Sequence, residues 1–203
     1  MFGALEFKIA DRPEEFAQIH RLNYQTFVEE IPQHHANPDQ LLVDKFHGEN
    51  TYIICLDAGR VVGMLAVRAT RPFSLDAKLP DLDTYLPPGR RLCELRLLAV
   101  EPRYRNGWVF WGMGRLLAEH CLRHGYELAL ISGTTRQQRL YRHLGFHPFG
   151  PLVGEPGAQF QPMYLSLEAF GRRARMFRRL LGRPELAPEL RELMSVDPAE
   201  EPG

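Results

Sequence analysis

The chain has 203 residues, of which 44% are hydrophobic, which suits one domain with a full core or one domain plus a tail. Lysine plus arginine and aspartate plus glutamate each number 25, so the balanced charge gives no reason to expect a nucleic-acid partner. Three scattered cysteines, an odd number, argue against a disulfide framework and favour buried thiols in a reducing cytoplasm.

The N-terminal region predicts a strand followed by a helix. Residues 1–16 hold no basic region followed by an apolar stretch, so we expect no signal peptide, and no apolar run approaches the roughly 20 residues of a membrane span. Residues 5–10 alternate as in a strand. Asp11, with Glu14 three residues later, predicts the start of a helix that runs to about residue 30.

The next region predicts a hairpin and a long connection. A short helix is expected at 41–46. Strands at 51–57 and 60–69 surround a turn signal at 58–59. The stretch 71–91 carries four prolines and is too long for an ordinary connection, which indicates a functional or mobile segment.

The second half of the sequence predicts alternating strands and helices. A strand at 91–102, a helix at 106–124, a strand at 126–133, a helix at 134–145 and final strands up to 170 follow one another. Hairpin strands followed by strand–helix–strand units predict a mixed α/β sheet with helices on both faces.

Two sequence segments, together with this order of elements, resemble the GNAT superfamily of N-acetyltransferases. VEPRYR (100–105) looks like the family's V-x-P-x-[Y/F]-R segment, and RLYRHLGF (139–146) looks like its L-Y-x-x-x-G-F segment. The resemblance covers residues 5–170 and implies a mostly antiparallel sheet whose parallel strands 4 and 5 splay apart. It also implies an acyltransferase domain over residues 1–170 that moves an acyl group from a thioester to a primary amine.

The segment RYRNGWVFWGMG (103–114) departs from the family's phosphate-binding loop. In the gapless register, Trp108 and Phe110 occupy the two glycine positions, and Gly112 and Gly114 fall inside the helix, where close packing on the sheet would explain them. The resemblance implies that the helix N-terminus receives the donor's phosphates. The residues implied there are Arg103, Arg105, Asn106, Gly107 and Trp108.

Two branches of the superfamily make similar departures, the acyl-homoserine-lactone synthases and the long-chain N-acyl amino acid synthases. RLNYQTFVEE (21–30) and CELRLLAV (93–100) look like segments of these branches, although the arginine stands two residues after the glutamate here rather than three. Their resemblance implies an acyl donor on acyl carrier protein, with acyl-CoA as the other donor. Trp108, Phe110 and Trp111 either line an acyl pocket or pack on the sheet.

Glu94 and Arg96 stand two apart in a predicted central strand and therefore share one face. Two charges on a covered face are costly unless they are paired or face a cleft. Glu94 is either the general base for an acceptor amine or one half of a structural ion pair with Arg96. In the first reading, Arg96 holds the acceptor's carboxylate or fixes Glu94.

Other site residues follow from the resemblance. Tyr141 occupies the position of the family's tyrosine that protonates the leaving thiolate, and the alternative is a packed aromatic side chain. Thr134 stands where the family often has an asparagine that bonds the pantetheine arm. Leu98, Ala99 and Val100 are expected to offer backbone groups to the donor, including one N–H for the oxyanion.

The remaining features bound the function. His34, His35 and His47 lack ligand-like partners, so we expect no metal site and no permanently bound cofactor. Residues 171–183 predict a basic helix, which either touches a membrane or an acidic carrier protein or docks on the domain; the acidic, proline-rich 184–203 predicts a tail or linker. We predict a cytoplasmic N-acyltransferase. The alternatives are an ordinary acetyl-CoA-dependent N-acetyltransferase and a non-catalytic binding module.

Overall fold

The protein folds around one seven-stranded mixed sheet. The computed structural model describes residues 5–105, 107–155 and 159–173. In chain order its main elements are β1 (Leu5–Ile9), α1 (Pro13–Tyr24), β2 (Asn50–Asp57), β3 (Arg60–Arg68), β4 (Leu92–Val100), α2 (Trp108–Arg123), β5 (Leu128–Thr134), α3 (Gln138–Leu144), β6 (His147–Pro148) and β7 (Phe160–Ser166). A π-helical turn over Gln25–Glu30 extends α1.

The strand order is β1-β2-β3-β4-β5-β7-β6, and only β4 and β5 run parallel among the paired strands described. The parallel pairing begins at Leu92 with Leu128 and ends at Glu94 with Leu130. Beyond that point β4 and β5 each continue without pairing to one another. The predicted mixed sheet with splayed parallel strands is therefore confirmed.

Helices cover both faces of the sheet, as predicted. Apolar residues of α1, including Ile19 and Leu22, pack on one face against β2 and β3. The opposite face carries α2, whose Val109 and Met113 belong to the largest core cluster. A third cluster is built by the long connection 71–91, whose leucines pack with Leu130 and Phe149. The connection is thus a packed layer over β5 and β7.

The structure differs from the sequence predictions at three places. No helix forms at 41–46; the chain turns there and a short 3-10 helix follows at His47–Glu49, because Leu42 N–H bonds the His20 carbonyl and ties the segment to α1. The cap of α1 is Arg12 rather than Asp11, and Glu15 rather than Glu14 accepts the free backbone N–H groups. The last strand ends at 166, and residues 167–173 are helical.

Some predicted features lie outside the described residues. These are Asn106, residues 174–183 of the predicted basic helix and the tail 184–203. All three cysteines are buried and free, as expected. Across 5–105, 107–155 and 159–173, no helix is both long and apolar enough to cross a bilayer.

Gly112 and Gly114 lie inside α2, as the gapless register requires. A Cβ at Gly112 would overlap the Phe7 ring of β1, and a Cβ at Gly114 would stand 2.8 Å from the Phe170 ring. Both glycines therefore allow close packing of α2 on the sheet and on the helical segment after β7. The expectation of close packing is confirmed, and neither glycine belongs to a phosphate-binding loop.

Gly112→Ala is expected to destabilise the fold. The added methyl group must displace the Phe7 ring, which costs up to about 3 kcal/mol, against the roughly 1 kcal/mol that alanine gains in helix propensity. Thermal unfolding should therefore move down by a few degrees. The matched control is Gly48→Ala, where the new methyl group meets nothing within 4 Å. Equal melting temperatures for the two variants would contradict the packing argument.

Candidate functional site

The gap between β4 and β5 is shaped by a bulge in β4. Pairing with β3 shifts between Ala66–Arg96 and Met64–Ala99, and Leu97 adopts a left-handed φ of 54°. Such a conformation is unfavourable for leucine and marks a strained backbone position. The side chain of Leu98 is 41% exposed, whereas Ala99 is buried. The backbone of Leu98, Ala99 and Val100 thus lies at the edge of β4 where the splay opens.

Polar side chains form two rows across one face of the sheet beside this gap. Asn50, Arg68 and Glu94 are direct cross-strand neighbours on β2, β3 and β4. Tyr52 and Arg96 lie in the next row of the same face, on either side of Ala66. This polar cluster separates the apolar layer under α1 from the one under residues 71–91. Glu94 and Arg96 therefore share a face, as predicted.

Glu94 is 1% exposed, and its carboxylate is surrounded by donors. Ser74 donates its backbone N–H at 2.9 Å and its hydroxyl at 2.5 Å, and the Leu75 N–H donates at 3.2 Å. Arg96 Nη1 lies 3.5 Å from the second oxygen. Every donor except Arg96 comes from the connection 71–91. Glu94 thus fastens this connection to the centre of the sheet.

Arg96 is held mainly by Asp44. Its Nη2 and Nε donate to the two Asp44 carboxylate oxygens at 2.9 and 3.3 Å, and Asn50 Nδ2 donates to Asp44 at 2.6 Å. Burial alone would raise the pKa of Asp44, but the hydrogen bonds from Arg96 and Asn50 outweigh it and hold that pKa below its ordinary value. The Phe46 ring lies beside both the Arg68 and Arg96 guanidinium groups, 3.6 and 4.9 Å from its centre.

Lys78 adds a further positive charge at this site. Partial burial lowers the pKa of its ammonium group; Glu94 opposes this shift, and the charges of Arg96 and Lys45 add to it. Its Nζ lies 4.7 Å from the centre of the Phe160 ring, and Phe160 pairs with Thr134 at the end of β5. Lys78 thus adds a positive charge beside the ion pairs that Arg96 makes with Asp44 and Glu94.

Three buried polar atoms near the gap have no hydrogen-bond partner among the described residues. They are Nη1 of Arg68, Oδ1 of Asn50 and Oγ of Ser132. Arg68 is 2% exposed, and Ser132 follows Leu130 by two residues, so both lie on the face that carries Glu94. Buried polar atoms are normally satisfied, so these atoms suit a polar ligand or ordered water.

The opposite face of the gap carries Tyr141. The Tyr141 ring packs against Gly133 of β5 and joins the core cluster beneath α2. Its hydroxyl donates to Gln137 Oε1 at 3.0 Å. Burial raises the pKa of Tyr141, and hydrogen bonding with Thr134 partly offsets this rise. The hydroxyl therefore stays protonated at neutral pH and is available as a donor.

The N-terminus of α2 is the predicted phosphate-binding end. Gly107 caps it with a left-handed φ of 83°, and Trp108, the first helical residue, is 48% exposed. Arg105 donates to Val100 O at 2.8 Å and to both carboxylate oxygens of Glu30, one at 2.6 Å. Arg103 pairs with Glu101 at 3.4 Å. Both predicted arginines are therefore already engaged by carboxylates.

The structure brings the predicted residues together as two groups on opposite faces. Glu94 and Arg96 touch on one face, and Tyr141 packs on the other, where it is hydrogen-bonded with Thr134 at the end of β5. Sequence reasoning missed the partners that complete the first group, namely Asp44, Asn50, Arg68, Ser74 and Lys78. Of these missed partners, only Arg68 had a recognisable signal in the sequence. It is a charged residue at the end of the apolar run VVGMLAVR. Within the ranges described, no three metal-binding side chains are grouped as ligands.

Comparisons with known proteins match this architecture. The family model described as N-acyl amino acid synthase FeeM matches residues 18–168. The structure is similar to the AHL synthase LasI, with 18% identity over 85% of this chain and 94% of that chain and a TM-score of 0.68. It is also similar to FeeM, an N-acyl amino acid synthase from uncultured soil microbes, with 16% identity over 82% of this chain and 92% of that chain and a TM-score of 0.62.

A third similar structure is that of BjaI, a CoA-dependent acyl-homoserine lactone synthase with SAM and isopentyl-CoA. The identity is 21% over 89% of this chain and 92% of that chain, with a TM-score of 0.66. At these identities the structural likeness establishes a shared fold. The search of curated proteins finds no match.

Proposed function

Because the chain belongs to the N-acyl amino acid synthase FeeM family, a family of acyltransferases, we propose that it transfers an acyl group from a thioester to the amine of an amino acid. The observation that carries this proposal is the gap between β4 and β5, which opens after Glu94 and Leu130. A cluster of ion pairs lies on one face of the gap and a tyrosine hydroxyl on the other. We assign the activity to residues 1–170.

The proposed donor arm lies in the gap. Past Glu94, the β4 edge that faces β5 is free of strand pairing, so its backbone groups are available to a pantetheine arm. The strained bulge at Leu97 turns the following backbone, and an N–H of Leu98–Val100 is proposed to stabilise the oxyanion. Thr134, at the end of β5, is proposed to bond the same arm.

The proposed acceptor lies on the face that carries Arg96. A carboxylate on the acceptor is proposed to be held by Arg96 and Lys78, and the free Nη1 of Arg68 adds a buried donor. An amino acid supplies this carboxylate together with a primary amine. The polar cluster thus supports an amino acid acceptor, as in the family description, over an amine that carries no carboxylate.

The reaction requires one nucleophilic attack and one protonation. The neutral amine attacks the thioester carbonyl carbon, the C–N bond forms, and the tetrahedral intermediate expels the thiolate as the C–S bond breaks. The amine's surplus proton leaves to solvent, and Tyr141 donates its proton to the thiolate and recovers it from solvent. The products are an N-acyl amino acid and a free thiol. No acyl-enzyme is formed.

The donor is proposed to be a long acyl chain on acyl carrier protein. Arg105, the arginine expected to meet a pyrophosphate, is bound by Glu30, and Trp108 stands at the helix start in place of a glycine. Both features weaken the site for the adenosine pyrophosphate of CoA, which carrier protein lacks. Each buried CH₂ of a long acyl chain contributes about 0.8 kcal/mol.

Product analysis by mass spectrometry tests this function. The full chain is incubated with a mixture of amino acids and either long-chain acyl carrier protein, the matching acyl-CoA or acetyl-CoA. We expect N-acyl amino acids chiefly from the carrier-bound long chain, and tighter binding of that donor by titration calorimetry. Strong turnover of acetyl-CoA without gain from chain length would instead identify an ordinary N-acetyltransferase. Absence of product with every donor would favour the non-catalytic module.

A further inference from the structure

Asn50 connects the Arg96 site to a second hydrogen-bonded layer behind it. Its Nδ2 donates to Asp44 Oδ2 at 2.6 Å and to the Tyr52 hydroxyl at 3.3 Å. Since a carboxylate oxygen only accepts, the short contact fixes the amide nitrogen as the atom that faces Asp44. Asn50 therefore acts on Asp44 in one defined orientation.

The layer behind Asn50 is closely packed. Tyr52 is 1% exposed, and its hydroxyl lies 3.2 Å from His47 Nδ1. The His47 ring packs edge-on against both Phe16 and His20, with centroids 5.4 and 4.6 Å apart. These contacts restrict the Tyr52 hydroxyl, which in turn restricts the Asn50 amide.

Asp44 transmits this restraint to the candidate acceptor site. Its two oxygens hold Arg96 side-on, a geometry that needs the ionised carboxylate. Burial disfavours that charge, and Arg96 and Asn50 restore it. The orientation of the Arg96 guanidinium therefore depends on a proton equilibrium at Asp44, and Asn50 contributes to that equilibrium.

We propose that Asn50 is a positioning residue for acyl transfer: it keeps Asp44 ionised and aligned, and thereby fixes Arg96 for the acceptor. This role rests on the proposed function in so far as Arg96 binds the acceptor. Charged and titratable groups surround Asp44 and Asn50 from every neighbouring element. The sheet contributes Arg96, Glu94, Arg68 and Tyr52. The other elements contribute Lys45, His47 and Glu49 before β2, His20 of α1 and Lys78 of the 71–91 connection.

Asn50→Leu, which keeps the size and removes the donor, tests the proposal through pH dependence. The folded-state pKa of Asp44 is depressed in the native protein, so its ionised form is lost as the pH falls through that value. Without the Asn50 hydrogen bond this pKa rises, and the acid limb of kcat/KM should move up by about one pH unit.

The control is Asn23→Leu, which removes another buried amide whose Nδ2 bonds the Leu42 carbonyl at 3.5 Å. It should lower stability without moving the acid limb. If Asn50→Leu does not fold, Tyr52→Phe is the substitute. It removes only the hydroxyl that accepts a hydrogen bond from Asn50, and it should move the acid limb of kcat/KM in the same direction by less. An unmoved limb in the folded variant would overturn the positioning role.

A carboxyl-detected NMR titration of Asp44 separates this proposal from the proposed function. The pKa of Asp44 should rise in Asn50→Leu whether or not the wild-type protein turns over any donor. A risen pKa without wild-type acyl transfer would refute the function and leave the coupling of Asn50 to Asp44 intact. An unchanged pKa in an active enzyme would refute the coupling alone.

Discussion

Replacing Glu94 with glutamine is expected to reduce acyl transfer by about 100-fold, the cost of displacing reacting groups by about 1 Å. The carboxylate accepts hydrogen bonds from Ser74 and Leu75 and lies beside Arg96. An amide cannot accept from all of them, and it leaves Arg96 without its second negative neighbour. Breaking a buried ion pair costs about 3 kcal/mol, so thermal unfolding should fall as well.

The pH profile of Glu94→Gln distinguishes anchoring from general-base catalysis. A lost base would be partly replaced at high pH, where the acceptor amine deprotonates unaided. We expect no such recovery, because deprotonating the acceptor amine does not restore the displaced 71–91 connection. Ser74→Ala provides the matched variant. It removes one donor and leaves the carboxylate, so it should reproduce a smaller part of the activity loss if Glu94 anchors, and little of it if Glu94 is a base.

The fold was predictable because its signals are local and repeated. Alternating apolar residues at 51–57 and 60–69, with a turn between them, predict a hairpin from side-chain periodicity alone. The family resemblance added the splay between strands 4 and 5, and the pairing of β4 with β5, which ends at Glu94 and Leu130, confirms that splay. The bulge at Leu97 was not predictable, because leucine carries no signal for a positive φ.

The site was predictable only where one strand or one helix contains both partners. Glu94 and Arg96 are two residues apart, so the pleat places them on one face. Asp44 lies 52 residues before Arg96, and Ser74 lies 20 residues before Glu94. These partners come from irregular segments, and no periodicity reveals where such segments cross a sheet. The wrongly predicted helix at 41–46 has the same cause: Asp44 is drawn toward Arg96 by a tertiary contact.

Tyr141→Phe is expected to lower single-turnover acyl transfer at saturating donor by at least 10-fold, toward the roughly 100-fold that one general acid contributes. Because burial raises the pKa of Tyr141, its hydroxyl carries a proton at neutral pH and can give it to the departing thiolate. Phenylalanine keeps the ring that packs on Gly133 and loses only the hydroxyl. Donor binding and the melting temperature should therefore remain close to the wild-type values.

The acidity of the leaving thiol distinguishes a general-acid role of Tyr141 from a packing role of its ring. A donor whose thiol is more acidic needs less help from a general acid, so the loss caused by Tyr141→Phe should shrink with such a donor. Gln137→Ala is the control, because it frees the Tyr141 hydroxyl from its 3.0 Å contact and keeps the acid. It should cost little activity. Equal losses with every leaving group, or full activity of Tyr141→Phe, would remove Tyr141 from the chemical step and leave the thiolate to depart on its own or through solvent.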